Sequence, residues 1–219
     1  GAEVRRFVGH TANVLNVAIS PDGGRLITTS SDKTALVWDM ASGAEIAKFA
    51  QHADNVWCAA FSAEGATIAT AGADKIGYIW DAATGAQIAR LVGHEGTVLS
   101  ATFSPNGKRV VTASVDKSVR LWDAGSGAQL ARLVGHEAYV YCAAFSPDGK
   151  RLATGGGDRA VRIWNAETGE AVAALKQHTG GVRSVCFSPD GWRLISSGGG
   201  DGTVRLWALE ESEVGAKSA

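Results

Sequence analysis

The sequence predicts an all-β protein built from five copies of one four-stranded sheet. Three observations predict it. All five histidines, His10, His52, His94, His136 and His178, stand 42 residues apart, a period typical of stacked β-units. A tryptophan follows each of them: Trp38, Trp80, Trp122 and Trp164 by 28 residues, and Trp207 by 29. Each unit also divides into four short segments ended by turn residues, with no sustained helical period. A chain of 219 residues arranged this way is one continuous array rather than a set of separate domains.

The fourth unit shows the elements in order. Val140 to Ser146, rich in aromatic and small residues, reads as the first strand. Ser146-Pro147-Asp148-Gly149 is a tight turn, because proline presets φ and glycine accepts positive φ. Arg151 to Thr154 forms the second strand, and Gly155 to Arg159 turns around Asp158. Ala160 to Trp164 is the third strand, Glu167-Thr168-Gly169 the next turn, and Ala171 to Leu175 the fourth strand. The first turn recurs as SPDG, SAEG, SPNG, SPDG and SPDG, and holds all four prolines, Pro21, Pro105, Pro147 and Pro189. Gly43, Gly85, Gly127 and Gly169 close the third turn. Four evenly spaced strands per unit argue for a β-propeller.

These residues resemble the WD40 repeat family. The resemblance rests on Gly-His opening the unit, Ser-Pro-Asp-Gly after the first strand, an aspartate before the third strand and Trp-Asp at its end. It covers residues 1 to about 208. Trp38-Asp39, Trp80-Asp81 and Trp122-Asp123 match fully, whereas Trp164-Asn165 and Trp207-Ala208 depart at the second residue. Gln51 and Gln177 replace the glycine before His52 and His178. The expected fold is an all-β, WD40-type β-propeller of five four-stranded blades, with repeats at about 9–50, 51–92, 93–134, 135–176 and 177–208. The last repeat has three clear strands. GAEVRRFVGH at the start matches GAQLARLVGH at 127–136, so residues 3–8 read as a fourth strand without its first three. Pairing them with the strand around Val204 to Trp207 would close the ring, as the resemblance implies, and remove exposed edges. Pairing between copies would instead give a larger ring by strand exchange. Residues 209–219 read as a polar tail.

Each repeat holds a histidine, a hydroxyl, an aspartate and a tryptophan. The sets are His10, Thr28, Asp32, Trp38; His52, Thr70, Asp74, Trp80; His94, Thr112, Asp116, Trp122; His136, Thr154, Asp158, Trp164; and His178, Ser197, Asp201, Trp207. They imitate a nucleophile–base–acid triad, but five copies around a ring serve the unit rather than one active site. The resemblance implies a structural hydrogen-bond network. The hydroxyl is placed four residues before each aspartate, where an oxygen always occurs. Two residues before, Gly72 and Gly156 offer none. The fifth unit has one extra residue: counting back from Asp201 gives Ser197, and counting forward from the histidine gives Ser196. Ser197 is the choice, with a bulge or looser turn expected nearby.

The remaining features bound the function. Net charge is −1, with no basic patch to suggest nucleic acid. The longest apolar run is eight residues, Ala138 to Phe145, so no direct membrane insertion is expected. The first residues contain no signal-peptide stretch. Cys58, Cys142 and Cys186 read as buried small hydrophobes, and a reducing, intracellular, cytoplasmic setting is expected. No clustered ligands suggest a metal, and GGGDG at 198–202 lacks the lysine and helix of a phosphate loop. No catalytic, cofactor or metal site is therefore expected.

The expected function is a non-enzymatic scaffold holding a protein or peptide partner on a rigid face, within a multisubunit assembly. An architectural or sensing module of a longer regulatory kinase or ATPase is the alternative, and a hydrolase has the least support. The resemblance places binding on the face that carries the aspartate turns. Five residues after each histidine stand Leu15, Trp57, Leu99, Tyr141 and Arg183, and three after stand Asn13, Asn55, Thr97, Tyr139 and Gly181. Trp57, Tyr139, Tyr141 and Arg183 are the types enriched at binding hot spots; Leu15, Leu99, Asn13 and Asn55 complete the candidate set. Tyr139 and Tyr141, two apart, are expected to point the same way along a strand. Trp192, in a turn on the opposite face, is a second candidate; its equivalents are Gly24, Ala66, Lys108 and Lys150.

Overall fold

The computed structural model describes residues 1–209, and 210–219 of the expected tail lie outside the described residues. Among the described residues there is no helix. The first blade runs β1 (Val14–Ile19), β2 (Arg25–Ser30), β3 (Ala35–Asp39) and β4 (Glu45–Phe49), paired antiparallel in that order. The second has β5 (Val56–Phe61), β6 (Thr67–Gly72), β7 (Gly77–Asp81) and β8 (Gln87–Leu91). The third has β9 (Val98–Phe103), β10 (Arg109–Ser114), β11 (Ser118–Asp123) and β12 (Gln129–Val134). The fourth has β13 (Val140–Phe145), β14 (Arg151–Gly156), β15 (Val161–Asn165) and β16 (Ala171–Leu175). Among the described residues the fifth has three strands: β17 (Gly181–Phe187), β18 (Arg193–Gly199) and β19 (Val204–Ala208).

Tight turns make each meander possible. In the turn after β13, the Gly149 N–H donates to the Ser146 carbonyl at 2.8 Å. Gly149 adopts φ 69° there, a conformation that a side chain disfavours.

The core lies between blades, because each sheet is apolar on both faces. Ile27, Val37 and Phe49 of the first blade pack on Ile68, Tyr78 and Trp80 of the second. Phe49 stacks on Trp80 with ring centroids 4.6 Å apart. Trp122 and Trp164 sit in the equivalent places of the next two interfaces. A buried tryptophan removes some 150–250 Å² from water, so these rings dominate the packing. Small buried residues, Ala59, Ala101 and Ala143, occupy β5, β9 and β13, where neighbouring first strands converge.

Arginines stitch successive blades together. The Arg109 guanidinium lies over the Phe145 ring at 5.6 Å. It donates to the Gly149 carbonyl at 2.9 Å and to the Ala166 carbonyl at 2.5 Å. Arg25 does the same with Phe61, Gly65 and Ala82. Arginine stands at this repeat position in four of the five blades, Arg25, Arg109, Arg151 and Arg193, with Thr67 in the second, and that recurrence was the sequence signal for this device.

The ends depart from the expected ring closure. Residues 1–10 form no strand, and β19 is the edge of a three-stranded sheet. The N-terminal segment lies instead on the first blade. Phe7 packs on Trp38 with centroids 5.7 Å apart. Arg5 donates to the Ser42 and Ala41 carbonyls at 2.6 and 2.5 Å. Phe7 precedes Phe49 by 42 residues and covers Trp38 as Phe49 covers Trp80. Residues 3–8 thus hold the place of a preceding blade's fourth strand, but β19 does not reach them. Among the described residues, Val17 and Ile19 on the first blade and Val204 and Leu206 on the fifth are exposed.

The cysteines differ from expectation in two cases: Cys142 is half-buried and Cys186 exposed. Burial pushes the thiols of Cys58 and Cys142 up to about 12. Cys186 is exposed, because its side of β17 faces the open end rather than a sixth blade.

Arg109→Ala is expected to lower unfolding free energy by about 2 kcal/mol, since hydrogen bonds to a charged group are worth about 1.5–3 kcal/mol. Urea denaturation with an unchanged m-value would check this.

Candidate functional site

The repeated polar residues form one relay per blade. In the first, Trp38 Nε1–H donates to Thr28 Oγ1 at 2.9 Å. Thr28 Oγ1 lies 2.8 Å from His10 Nε2, and His10 Nδ1 lies 2.9 Å from Asp32 Oδ2. The same atoms meet at 2.8–2.9 Å in the sets of His52 and His136 and at 2.7–2.8 Å in that of His94. The direction of the hydrogen bonds follows from their donors. The indole can only donate, so the hydroxyl accepts from it and gives its own proton to Nε2. Nδ1–H then donates to the carboxylate, leaving the imidazole neutral.

In the fifth blade the hydroxyl is Ser196, not Ser197. Ser196 Oγ lies 2.8 Å from His178 Nε2 and accepts from Trp207 Nε1–H at 2.8 Å. The pairing register decides it: Ser196 faces Val185 across the ladder, just as Thr154 faces Ala143. The extra residue falls beyond Ser196, in a turn where Gly200 and Gly202 have φ of 98° and 65°. The histidine-to-hydroxyl count is therefore preserved and the hydroxyl-to-aspartate count is not.

In blades two to four the relay has the atoms of a triad but no access for a substrate. The hydroxyls of Thr70, Thr112 and Thr154 belong to residues with no exposed surface, and each already serves an indole and an imidazole. Among the described residues no group of three His, Cys, Asp or Glu could hold a metal. The chemistry open to these side chains is bracing.

What they brace is the face of the aspartate turns. Asp32 Oδ2 accepts the Thr11 N–H at 2.9 Å, and Asp74, Asp116, Asp158 and Asp201 accept those of Ala53, Glu95, Glu137 and Thr179 at 3.0–3.1 Å. The next residues are pinned from the other side. Asn13, Asn55, Thr97 and Tyr139 accept, through their carbonyls, the N–H groups of Ser31, Ala73, Val115 and Gly157 at 2.8–3.0 Å. A basic residue follows four of the aspartates in the left-handed region: Lys33, Lys75, Lys117 and Arg159, with φ between 67° and 71°.

One feature of this face was not visible in the sequence. Every first strand contains a β-bulge, and each bulge skips the residue five after the histidine. In β1 the pairing jumps from Val14 to Asn16, omitting Leu15. In β5, β9, β13 and β17 the jumps omit Trp57, Leu99, Tyr141 and Arg183. A bulged residue leaves the ladder and its side chain is re-aimed. Trp57 and Arg183 are exposed, and Leu15, Leu99 and Tyr141 are half-buried.

The structure brings two of the candidates together. The Arg183 guanidinium lies over the Tyr141 ring at 3.9 Å, a cation–π contact across the gap between blades four and five. Glycines seat this pair. A Cβ on Gly199 would come within 2.7 Å of Arg183 Cγ, and one on Gly181 within 3.3 Å of the Tyr141 ring. Tyr139 is exposed but precedes β13. The expected strand alternation with Tyr141 therefore does not apply: one residue lies outside the strand and the other is its bulge. No ring contact joins Trp57 to either tyrosine among the described residues. Asn13 is exposed and Asn55 half-buried. Trp192 lies in the turn before β18, at the opposite end of the blade, where its carbonyl accepts the Leu209 N–H at 3.0 Å; it is 40% exposed.

The profile of the WD domain, G-beta repeat, matches residues 1–39, 43–81, 85–123, 127–165 and 169–208. The chain belongs to the WD40 family. Among curated proteins none matches this sequence. The WD40 matches end at the Trp-Asp position of each blade, so their units start one strand earlier than units counted from the histidines.

The relays of this WD40 chain also set its response to acid. Burial lowers the pKa of His94 and His136 below the usual 6.5, outweighing their aspartate partners. Burial would raise the Asp116 carboxyl, but hydrogen bonds from the Ser118 hydroxyl, the Glu95 N–H and His94 overcome it and hold it far below the usual 3.8. The Thr203 N–H, with His178, does the same for Asp201. In each case the folded group holds its proton less tightly than the unfolded one, so stability is complete above the unfolded pKa and falls as pH drops. Urea midpoints are expected to be flat above about pH 7, to decline below about 6.5 as unfolded histidines charge, and to fall again below about 4. Thr112→Val, which strands the Trp122 N–H and the His94 ring, is expected to cost about 3 kcal/mol, measurable by the same denaturation.

Proposed function

We propose that this chain is a non-catalytic docking platform that holds a protein or peptide segment on its aspartate-turn face. The observation that carries this reading is the bulge in all five first strands. A bulge at one position in every blade points five side chains of four residue types toward the same rim, while the residues beside them are fixed by the relays. Shape and rigidity repeat around the arc, and chemistry does not. Trp57, Tyr141 and Arg183, with Tyr139 beside them, supply aromatic and guanidinium contacts of the kind that dominate binding energies. The glycine seat under Tyr141 and Arg183 keeps that pair in place before a partner arrives, which reduces the ordering cost of binding. The WD40 repeats support the general role, since repeats of this kind commonly serve as protein-interaction scaffolds. Trp192, on the other face, is left as a minor contact.

The test is selection of binding peptides from a displayed library, followed by substitution of the face. Alanine at Trp57, Tyr139, Tyr141 and Arg183 together is expected to weaken the selected peptides at least about 100-fold, equivalent to about 2.7 kcal/mol, with the melting curve unchanged. Trp192→Ala should leave them unaffected. Peptides that bind the quadruple variant as well as the parent would reject the reading.

A further inference from the structure

The outer edge of the third blade pairs two arginines where blades one, two and four each hold one cation. The position lies in the third strand, two residues before the blade tryptophan. Its occupants are Leu36, Tyr78, Arg120 and Arg162. The ladders set these opposite Lys48, Arg90, Arg132 and Ala174 of the fourth strands. Residues directly opposite share one face of the sheet, with Cβ atoms about 4.5–5.5 Å apart. Three of the four pairs are settled within their blade. Lys48 faces a leucine. The Arg90 guanidinium lies over the Tyr78 ring, 5.7 Å from its centroid. Arg162 has a buried Nε without a partner, but Asp158 Oδ2 lies 3.9 Å from its Nη2 and only an alanine stands opposite.

Arg120 and Arg132 are different. Like charges directly opposite one another destabilise a sheet, and neither arginine forms an ion pair among the described residues. Arg120 is 6% exposed, whereas Arg132 is exposed. The Arg120 Nη1–H donates to Gln129 Oε1, and its Nε is buried without a partner. The side of the guanidinium left open is the Nε–Nη2 edge, a fork of two parallel N–H donors that fits an oxyanion. Gly93 lets the group lie against the loop that His94 opens: a Cβ there would come within 2.5 Å of Arg120 Nη1. Burial and the charge of Arg132 lower the pKa of Arg120, and the Asp116 and Glu95 carboxylates do not offset them.

We infer that the third blade binds a phosphate group between Arg120 and Arg132. The oxyanion takes the open Nε–Nη2 edge of Arg120 and the exposed guanidinium of Arg132 together. Planar guanidinium forks match phosphate geometry, and arginine stays charged at any working pH. Two such groups balance the charge of about −1.5 to −2 that a phosphate monoester carries at pH 7, which a single carboxylate does not. The site goes beyond the docking reading: it lies on the outer edge of one blade and needs neither Trp57 nor Tyr141.

Calorimetric titration of the chain with inorganic phosphate and with a short phosphoserine peptide, at fixed ionic strength, tests it. Both are expected to bind, and acetate and the unphosphorylated peptide to bind at least about tenfold more weakly. A phosphopeptide that binds more tightly than inorganic phosphate supports the site as a reader of phosphorylated chains; equal affinities support it as a site for the free ion. Arg132→Ser removes an exposed cation, so it is expected to leave the melting curve no lower and to weaken phosphate at least about tenfold. Arg120→Tyr gives the third blade the pair that the second already carries, Tyr78 under Arg90. It is expected to fold and to lose phosphate to the same extent; should it fail to fold, Arg132→Ser decides alone. Arg90→Ser, one blade away, should bind phosphate as the wild type does. A wild-type chain that binds neither probe overturns the inference. Folded variants at Arg120 and Arg132 that bind phosphate as well as the wild type, or acetate that binds as tightly as phosphate, overturn it equally.

Discussion

The hydroxyl shared between an indole and an imidazole is the contact on which the rest of this structure depends. It joins two strands and a loop through a single oxygen. The tryptophan ends the third strand, the hydroxyl belongs to the second, the histidine opens the loop before the first, and the aspartate turns the second into the third. Removing any member leaves the others buried without partners, which costs far more than one hydrogen bond. Each blade is therefore fixed at the end where its loops emerge. The tryptophan's outer face is simultaneously the platform on which the preceding blade's fourth strand rests, as Phe49 on Trp80 shows. One side chain serves both the interior of a blade and its junction with the next.

This double duty explains why polar residues recur with strict spacing in a core that is otherwise aliphatic. Burial favours the neutral form of His94 and His136, and hydrogen bonds hold Asp116 and Asp201 charged, so these relays weaken in acid. The double duty also accounts for the resemblance to a catalytic triad. Such a triad needs a hydroxyl that can reach a substrate. Here the hydroxyl is enclosed, saturated with partners and present five times, and the same geometry becomes a brace.

Much of the architecture was legible in the sequence because it is local. The histidine and tryptophan periods, the Ser-Pro-Asp-Gly turns and the alternating strands marked the sheets. The relay residues of the first four blades followed from counting. The features that escaped depend on register or on neighbours. Ser197 and Ser196 are both serines beside an inserted residue, and only the pairing of Ser196 with Val185 decides between them. The bulges change no residue type, so Leu15 and Tyr141 look like ordinary strand residues. Closure of the ring depends on the rotation between blades, a property of packed interfaces that no single strand pattern encodes. The exposure of Cys186 follows from the same open end.

The bulge has a consequence for how such a chain diversifies. A residue outside the ladder does not set strand register. Leu15, Trp57 and Leu99 can therefore change at less cost to folding than ladder residues, while Tyr141 and Arg183 are coupled by their contact. Their separation by 42 residues means that duplicating or exchanging one repeat moves a complete blade together with its own recognition residue. Selectivity can then be rewritten one blade at a time, like letters in a fixed frame.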